Sequence, residues 1–173
     1  MPPRPALFLD RDGTLIDDVD YLVNVGQIRL SREAALALRR ANEAGIPVIV
    51  VTNQSAIARG MLAEAALDAI HADLSRLLAT HGARVEAYYH CPHHPTEGTP
   101  PYRRACDCRK PEPGLFLRAA RELGLDLARS GAIGDSERDL EAARRAGVPH
   151  RHKVDGPDGL GAAIDALLPL LHP

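Results

Sequence analysis

Short segments, most of them wholly apolar, alternate along this chain with longer segments in which apolar residues recur at helical spacing. The predicted strands are residues 6–9, 47–51, 85–90, 131–134 and 150–154, and the predicted helices are residues 31–44, 63–80, 114–123, 137–146 and 161–170. Strands without a polar face must be covered on both sides, which is typical of parallel sheets joined by helices. The sequence therefore predicts an α/β fold with a mainly parallel sheet and helices on both faces.

The length of 173 residues suits a single domain, which we expect to span residues 1–173 and to carry a long loop over about 91–110. A net charge of −2 argues against nucleic acid as a partner, because a polyanion is bound by a strong positive field. No apolar run approaches the roughly 20 residues that span a bilayer, so we expect no membrane partner. The first residues lack a signal-peptide core, and we expect a cytoplasmic monomer.

Polar residues follow several predicted strands, at the end of the sheet where parallel α/β folds bind ligands. Asp10 and Asp12 follow the first strand, where Gly13 allows a turn, and Asp135 follows the fourth. Carboxylates bind Mg²⁺ together with substrate phosphates, and a carboxylate can also attack phosphorus. A solvated Asp–Gly turn is the alternative. A calcium loop is excluded, because the twelfth residue from Asp10 is Tyr21 instead of glutamate.

All three cysteines of the chain lie in a proline-rich segment after the third predicted strand, and histidines accompany them. An odd number of cysteines without a secretory signal is a poor disulfide framework. Cys91, His93, Cys106 and Cys108 would supply three thiolates and one imidazole, the ligand set of a closed, structural zinc site. His94 is an alternative ligand, and unpaired cysteines in a flexible loop are the alternative to a metal site.

Two further groups of polar residues adjoin these segments. The run Thr52, Asn53, Gln54 and Ser55 follows the second strand and is longer than a helix cap requires, so we interpret it as substrate contact. Arg109 follows the cysteines, and its forked donors suit a phosphate group. A surface arginine in a basic loop is the alternative for Arg109.

Four segments match, in chain order, the four motifs of the haloacid dehalogenase-like phosphatases: Phe8-Leu9-Asp10-Arg11-Asp12-Gly13-Thr14, Val51-Thr52-Asn53-Gln54-Ser55, Arg109-Lys110-Pro111 and Gly134-Asp135-Ser136. Residues 57–60 and 88–95 resemble the branch of this superfamily that acts on D-glycero-D-manno-heptose 1,7-bisphosphate. The likeness covers residues 6 to about 150. It implies a Rossmann-like domain of this superfamily with an inserted zinc loop.

The resemblance implies a role for each motif residue. Asp10 would be the nucleophile that forms an aspartyl-phosphate, and Asp12 would protonate the leaving oxygen and then activate water. Mg²⁺ would be held by Asp10, Asp135 and the backbone carbonyl of Asp12. Thr52 and Lys110 would hold the phosphoryl oxygens.

The resemblance also favours His93 over His94 as the fourth zinc ligand. The chain departs from the family at Asp20, where glycine is common. The resemblance nevertheless implies that the neighbouring residues Asp18 and Tyr21 contact the substrate. The expected substrate-binding residues are Asp18, Tyr21, Thr52, Asn53, Gln54, Ser55, Arg109 and Lys110.

We therefore expect a Mg²⁺-dependent phosphoric monoester hydrolase that converts D-glycero-D-manno-heptose 1,7-bisphosphate to the heptose 1-phosphate. This reaction lies on the route to the heptoses of bacterial surface polysaccharide. One alternative is a histidinol-phosphate phosphatase of histidine biosynthesis, from a sister family with the same four motifs. A less favoured alternative is a non-catalytic zinc-loop binding module.

Overall fold

The computed structural model describes residues 2–171, and the predicted domain limits at residues 1 and 173 lie outside them. The strands are β1 (Leu7–Leu9), β2 (Val48–Asn53), β3 (Ala87–Cys91), β4 (Gly131–Gly134) and β5 (His150–Lys153). The helices are α1 (Arg32–Glu43), α2 (Glu64–Ala79), α3 (Gly114–Leu123), α4 (Glu137–Arg145) and α5 (Leu160–Leu167). Short 3₁₀ helices cover Val25–Gln27, Leu127–Arg129, Pro157–Gly159 and Leu168–Leu170.

The strands run parallel in one sheet, in the order β3-β2-β1-β4-β5. Phe8 of the central strand β1 is in register with Ile49 of β2 and with Ala132 of β4. From β1 the chain adds β2 and β3 on one side of the sheet, and then β4 and β5 on the other side of β1. The strand order therefore reverses between β1 and β4, and we call this boundary the seam. Sheets of this kind open a crevice for ligands at such a seam.

The sheet separates two apolar cores, as strands without a polar face require. Leu7 and Leu9 contribute to the core that includes α1, α2 and α5, whereas Phe8 contributes to the core that includes α3 and α4. The ring of Phe8 packs against Phe116 of α3, with 4.9 Å between ring centroids. Helices therefore cover both faces of the sheet, and the predicted fold class is confirmed.

The helix ends follow the local sequence. Ser31 caps α1 by accepting a hydrogen bond from the backbone N–H of Ala34 at 3.1 Å. Gly124 ends α3 in the left-handed conformation, with φ of 64°. The predicted helix over 161–170 instead ends at Leu167 and continues as a 3₁₀ turn, because Pro169 has no N–H to donate. None of the helices within residues 2–171 is long and apolar enough to cross a membrane.

The two strands nearest the cysteines extend further than predicted at their carboxyl ends. β2 includes Thr52 and Asn53, which are in register with His90 and Cys91 of β3. The polar side chains of Thr52 and Asn53 do not end the strand, because their backbones still find partners in β3. As a result Cys91 lies within the sheet and is fully buried.

Candidate active site

The turn after β1 brings Asp10 and Asp135 together at the seam between β1 and β4. The backbone N–H of Asp10 donates to the carbonyl of Ile133 at 3.1 Å. Gly13 has a φ of +78°, and a Cβ at this position would lie only 2.4 Å from Oδ2 of Asp135. Glycine alone suits both the left-handed backbone and this close approach. The turn that Gly13 permits therefore makes room for Asp135.

A buried lysine and a third carboxylate complete the cluster. Asp10, Asp135 and Asp139 each offer an oxygen within 4.8 Å of the others. Lys110 Nζ lies 3.0 Å from Oδ1 of Asp10 and 2.7 Å from Oδ1 of Asp139. It also donates to the carbonyl of Val51 at 2.8 Å. Two hydrogen bonds and an ion pair thus fix the position of the Lys110 ammonium group.

The charges of the cluster influence one another. Burial raises the pKa of Asp10 to about 7, while Lys110 opposes this rise and Asp139 adds to it. Burial and the charge of Asp139 also raise the pKa of Asp135. Burial alone would lower the pKa of Lys110, but Asp10 and Asp139 outweigh burial and raise it. Carboxylates held so close repel one another, so the cluster favours a bound cation with a preference for hard oxygen ligands.

Sequence reasoning missed Asp139. Its Oδ2 accepts hydrogen bonds from Ser136 N at 3.1 Å and from Ser136 Oγ at 2.8 Å, which forms a capping box at the start of α4. The pattern Ser136-x-x-Asp139 is a recognisable signal for such a box. The contact with Lys110, however, depends on how α4 meets the sheet, and the pattern alone does not predict it.

Asp12 is held by two neighbours, Arg11 and Gln54. Its Oδ1 accepts from Arg11 Nε at 3.0 Å, and its Oδ2 accepts from Arg11 Nη2 and from Gln54 Nε2, each at 3.0 Å. The side chain of Asp12 keeps 24% of its surface exposed and lines the cavity described below. The carboxylate is therefore oriented by protein donors while remaining accessible to a ligand.

Gln54 and Asn53 orient other residues of the site. Gln54 Nε2 donates to Thr52 Oγ1 at 2.8 Å, which leaves the hydroxyl proton of Thr52 for an acceptor in the cavity. The amide of Asn53 donates to the carbonyl of Lys110 at 3.1 Å and accepts from its N–H at 2.9 Å. Both amides thus position Thr52 and Lys110, and their direct contact with substrate stays a prediction.

These groups line one cavity of about 320 Å³, which is within the usual range for small-molecule sites. All residues predicted to bind substrate line this cavity: Asp18, Tyr21, Thr52, Asn53, Gln54, Ser55, Arg109 and Lys110. Asp20, Arg59, His94 and Arg138 line it as well and were not predicted. Arg59 and His94 lie in residues 57–60 and 88–95, the two segments that resemble one branch of the superfamily, whereas Asp20 and Arg138 are charged residues of the kind that is usually solvated.

Three arginines lie around the mouth of this cavity. Arg109 Nη1 donates to the carbonyl of His93 at 3.2 Å. Burial lowers the pKa of Arg109, and the nearby charges of Arg138 and Arg59 lower it further. Arg59 also lies over the ring of Tyr21, 5.7 Å from its centroid. Like charges gathered at a cavity mouth favour an anionic ligand group.

The predicted zinc ligands meet in space. The sulfur atoms of Cys91, Cys106 and Cys108 lie 3.1–3.6 Å from one another, and His93 Nδ1 lies 3.4 Å and 3.6 Å from two of them. A tetrahedral zinc ion with bonds of about 2.3 Å separates its ligands by roughly 3.8 Å, so the cluster is close to the required size. The hydrogen bond between Cys108 and Cys91 lowers the pKa of Cys108 to about 5, which favours the thiolate that metals bind.

His94 has a different environment from His93. Its Nδ1 accepts hydrogen bonds from the backbone N–H groups of Thr96 at 3.2 Å and Glu97 at 3.0 Å. His93, and not His94, belongs to the cluster with the cysteines. The geometry therefore favours His93 as the nitrogen ligand of a metal.

Taken together with the sheet, the site defines a class of enzyme. The haloacid dehalogenase-like hydrolase family matches residues 18–147, and the chain belongs to this family. The family was predicted from four sequence motifs in chain order, and the prediction of a hydrolase of this family is confirmed.

Two enzymes with the same name are similar to the chain in sequence. The D-glycero-β-D-manno-heptose-1,7-bisphosphate 7-phosphatase of Rhodopseudomonas palustris is 45% identical over 149 residues, which cover 86% of this chain and 82% of the relative. The enzyme of that name from Escherichia coli K12 is 39% identical over 144 residues, with 83% and 75% covered.

Solved structures resemble the chain over most of its length. The D,D-heptose 1,7-bisphosphate phosphatase of B. bronchiseptica, complexed with magnesium and phosphate, has a TM-score of 0.78 and 37% identity, and the match covers 94% of this chain and 86% of that one. A HAD-like protein from Mesorhizobium loti has a TM-score of 0.90 and 37% identity, with 100% and 90% covered.

Proposed function

We propose that this protein removes the 7-phosphate of D-glycero-β-D-manno-heptose 1,7-bisphosphate and releases the heptose 1-phosphate. The observation that carries the proposal is the contact of Asp10 with the buried Lys110, 3.0 Å apart, in a cavity that Asp12 and Asp135 also line. Such a pair combines a carboxylate nucleophile with a fixed positive charge for the phosphoryl group. The names of the relatives described above support the substrate.

In the first step, a carboxylate oxygen of Asp10 bonds to phosphorus while the bond from phosphorus to the sugar oxygen breaks. Asp12 gives its proton to that sugar oxygen. In the second step, the oxygen of a water molecule bonds to phosphorus and Asp12 takes a proton from the water. The bond from Asp10 to phosphorus then breaks and inorganic phosphate leaves. Asp12 has regained the proton that it gave, so the cycle closes.

Lys110 and Thr52 would hold the phosphoryl oxygens during both steps. Lys110 is already fixed by Asp10, Asp139 and the carbonyl of Val51. Thr52 is oriented by Gln54. Groups placed before the substrate arrives stabilise the transition state without reorganising, which is the main source of electrostatic catalysis.

Asp10, Asp135 and the backbone carbonyl of Asp12 would hold Mg²⁺. Carboxylate oxygens gathered at the end of β1 suit a hard divalent cation. Bound there, the ion would offset the repulsion between Asp10 and the phosphate and stabilise the charge of the transition state. The magnesium and phosphate in the B. bronchiseptica relative support this site. We assign Asp139 to Lys110, its ion-pair partner, and to Ser136, which donates hydrogen bonds to it.

Cys91, His93, Cys106 and Cys108 would hold a structural zinc ion, because four protein ligands leave no open position for catalysis. The segment after β3 is rich in proline and poor in apolar residues, so ligation would supply the free energy that orders it. Arg109 follows Cys108 directly in sequence, and zinc would thereby hold Arg109 at the cavity.

The second phosphate of the substrate would bind at the mouth of the cavity, among Arg109, Arg138 and Arg59. Guanidinium groups bind phosphate with paired hydrogen bonds. Within the described residues Arg59 forms an ion pair with Glu97 at 3.5 Å, whereas Arg109 and Arg138 form none. Asp18 and Tyr21 also line the cavity and would contact the sugar between the two phosphates.

We further propose that the enzyme acts in the cytoplasm as a monomer. Cysteines that hold zinc must stay reduced, and thiols persist in a reducing compartment such as the cytoplasm. The cavity of a single chain contains every side chain that the proposed mechanism needs, so the mechanism requires no second copy.

A phosphate-release panel tests the function. It compares heptose 1,7-bisphosphate, histidinol phosphate, other sugar phosphates and a 3′-phosphorylated oligonucleotide, each with and without Mg²⁺, and uses Asp10→Asn as the inactive control. We expect the highest kcat/KM for the heptose bisphosphate and release of the 7-phosphate by ³¹P NMR. A higher kcat/KM for histidinol phosphate, or release without Mg²⁺, would contradict the proposal.

A further inference from the structure

Behind Asp12 lies an arginine that is wholly buried. Arg11 is 0% exposed, and its Nε and Nη2 make parallel hydrogen bonds of 3.0 Å to the two carboxylate oxygens of Asp12. Nη2 also donates to Gln54 Oε1 at 3.1 Å, and Nη1 lies 3.1 Å from His71 Nε2. A bidentate pair of this kind fixes the plane and the rotation of a carboxylate. Asp12 is therefore held in one orientation.

His71, on α2, supports Arg11 from the other side. Its ring is 5% exposed and stacks on Tyr88 with 4.4 Å between centroids, and the hydroxyl of Tyr88 lies 2.9 Å from Ser75 Oγ. Burial, together with the charge of Arg11, lowers the pKa of His71 to about 3. The ring therefore stays neutral and Nε2 accepts the N–H of Arg11. Each side of the guanidinium group thus has a fixed acceptor.

The two oxygens of Asp12 differ in what they accept. Oδ2 accepts from both Arg11 Nη2 and Gln54 Nε2, whereas among the described residues Oδ1 accepts only from Arg11 Nε. A carboxylate oxygen has two lone pairs, so Oδ2 is saturated and Oδ1 keeps one lone pair. Oδ1 is the atom with capacity to carry a proton without breaking a hydrogen bond.

We propose that Arg11, backed by His71, is a positioning residue that aims Oδ1 of Asp12 at the leaving oxygen, and that Oδ1 exchanges the proton. The proposal rests on the acid–base function proposed for Asp12. Within residues 2–171, Asp12 is the only carboxylate that forms an ion pair with Arg11. Burying an ion pair gains little stability. We therefore interpret Arg11 as a residue that orients the carboxylate of Asp12 beside the cavity.

Two substrates with different leaving groups can distinguish a positioning role of Arg11 from a general structural role. A sugar oxygen must receive a proton as it leaves, whereas 4-nitrophenolate leaves as a stable anion and needs no acid. kcat/KM reports the steps up to departure of the leaving group, so it does not include the later attack of water. A misdirected Asp12 should therefore lower kcat/KM for the sugar ester far more than for 4-nitrophenyl phosphate.

The experiment measures kcat/KM for heptose 1,7-bisphosphate and 4-nitrophenyl phosphate with Arg11→Met, His71→Leu and His71→Gln. Arg11→Met should lower kcat/KM for the sugar ester about 100-fold, the size expected for a misplaced acid, and at least tenfold more than for the aryl ester. His71→Leu removes the acceptor and should show a smaller effect of the same kind. His71→Gln keeps an acceptor and should lose less than His71→Leu on the sugar ester.

Equal losses on both esters, or no loss in a folded Arg11→Met protein, would overturn the proposal. If circular dichroism shows that Arg11→Met does not fold, the two His71 variants test the proposal instead. Equal kcat/KM values of His71→Leu and His71→Gln for the sugar ester would then overturn it. Failure of the wild-type enzyme on the heptose ester would instead contradict the proposed substrate. In that case any alkyl phosphate that the enzyme cleaves replaces it in the same comparison.

Discussion

Lys110 Nζ lies 2.7 Å from Oδ1 of Asp139, closer than it lies to the proposed nucleophile Asp10. Lys110 and Asp139 are both almost fully buried, so the charge of Lys110 in the active site depends on a partner that does not react. Removing one member of a buried ion pair leaves the other uncompensated, which is far more costly than losing an exposed pair.

Asp139→Asn should therefore destabilise the protein by about 3 kcal/mol and lower kcat. The amide keeps the size of the side chain but leaves Lys110 with Asp10 as its only charged partner in the part of the chain that the structure describes. Urea unfolding and phosphate release measure the two effects. Asp165→Asn is the matched control, because the ion pair of Asp165 with Arg40 is exposed and should contribute at most about 1 kcal/mol. Equal destabilisation by both substitutions would contradict the importance of the buried pair.

Gly13→Ala should raise the Mg²⁺ concentration that gives half-maximal activity. The new Cβ would lie 2.4 Å from Oδ2 of Asp135 and would displace a proposed Mg²⁺ ligand. Gly45→Ala is the control, since Gly45 has nearly the same φ of +77° but nothing within 4 Å of an added Cβ. Both variants should lose about 1 kcal/mol through backbone strain, and only Gly13→Ala should change the Mg²⁺ dependence. An unchanged Mg²⁺ titration for Gly13→Ala would argue against Asp135 as a ligand.

Cys106→Ser should lose zinc and should lower activity while the sheet stays folded. Zinc content by mass spectrometry, activity and circular dichroism measure the three outcomes. His94→Ala is the control for metal content, since Nδ1 of His94 accepts backbone hydrogen bonds and lies outside the cluster. Full zinc content in Cys106→Ser, or full activity after its zinc is lost, would contradict a zinc ion that holds Arg109 and Lys110.

Arg109→Ala should reduce kcat/KM for the heptose bisphosphate by about 10- to 150-fold more than for a sugar monophosphate. A charge-assisted hydrogen bond to the non-reacting phosphate contributes about 1.5–3 kcal/mol, and only the bisphosphate offers that phosphate. Arg121→Ala, on an exposed position of α3, is the control. Equal losses on the two substrates would assign Arg109 to the reacting phosphate or to the fold.

The lowered pKa of His71 predicts how the stability of the protein depends on pH. In the unfolded chain His71 titrates near its ordinary pKa of 6.5, whereas in the folded protein its pKa is about 3, so between these values the unfolded state binds more protons. Acidification from pH 7 to pH 5 should therefore lower the free energy of unfolding by about 2 kcal/mol through this residue. Urea unfolding at both pH values should show a smaller decrease for His71→Gln than for His152→Gln, which alters an exposed position. An identical decrease for the two variants would contradict a neutral, buried His71.

Much of the fold could be predicted because its strands are buried on both faces. Leu7–Leu9 and Gly131–Gly134 have no polar side chain, and segments of this kind are rarely anything other than core strands. The ends of β2 and β3 were harder to predict, since Thr52 and Asn53 are polar and stay in the sheet only because His90 and Cys91 offer backbone partners.

The site was predictable where its residues fall within contiguous motifs. Asp10, Asp12, Lys110 and Asp135 occur at strand ends or in a recognisable run, and the cavity collects all four. Asp139 and Arg138 reach the same cavity only because of the angle at which α4 meets β4, which depends on packing between distant segments. Local sequence does not carry that information.

The seam between β1 and β4 also limits when the enzyme can first become active during synthesis. Asp10 emerges from the ribosome more than a hundred residues before Asp135, so a nascent chain holds the nucleophile long before it holds the metal ligand beside it. Until β4 arrives, one edge of β1 has no partner, and this edge belongs to a wholly apolar strand that is prone to pair with other chains. Chaperone demand should therefore be greatest while residues 10–130 are outside the ribosome, and it should end when β4 closes the sheet.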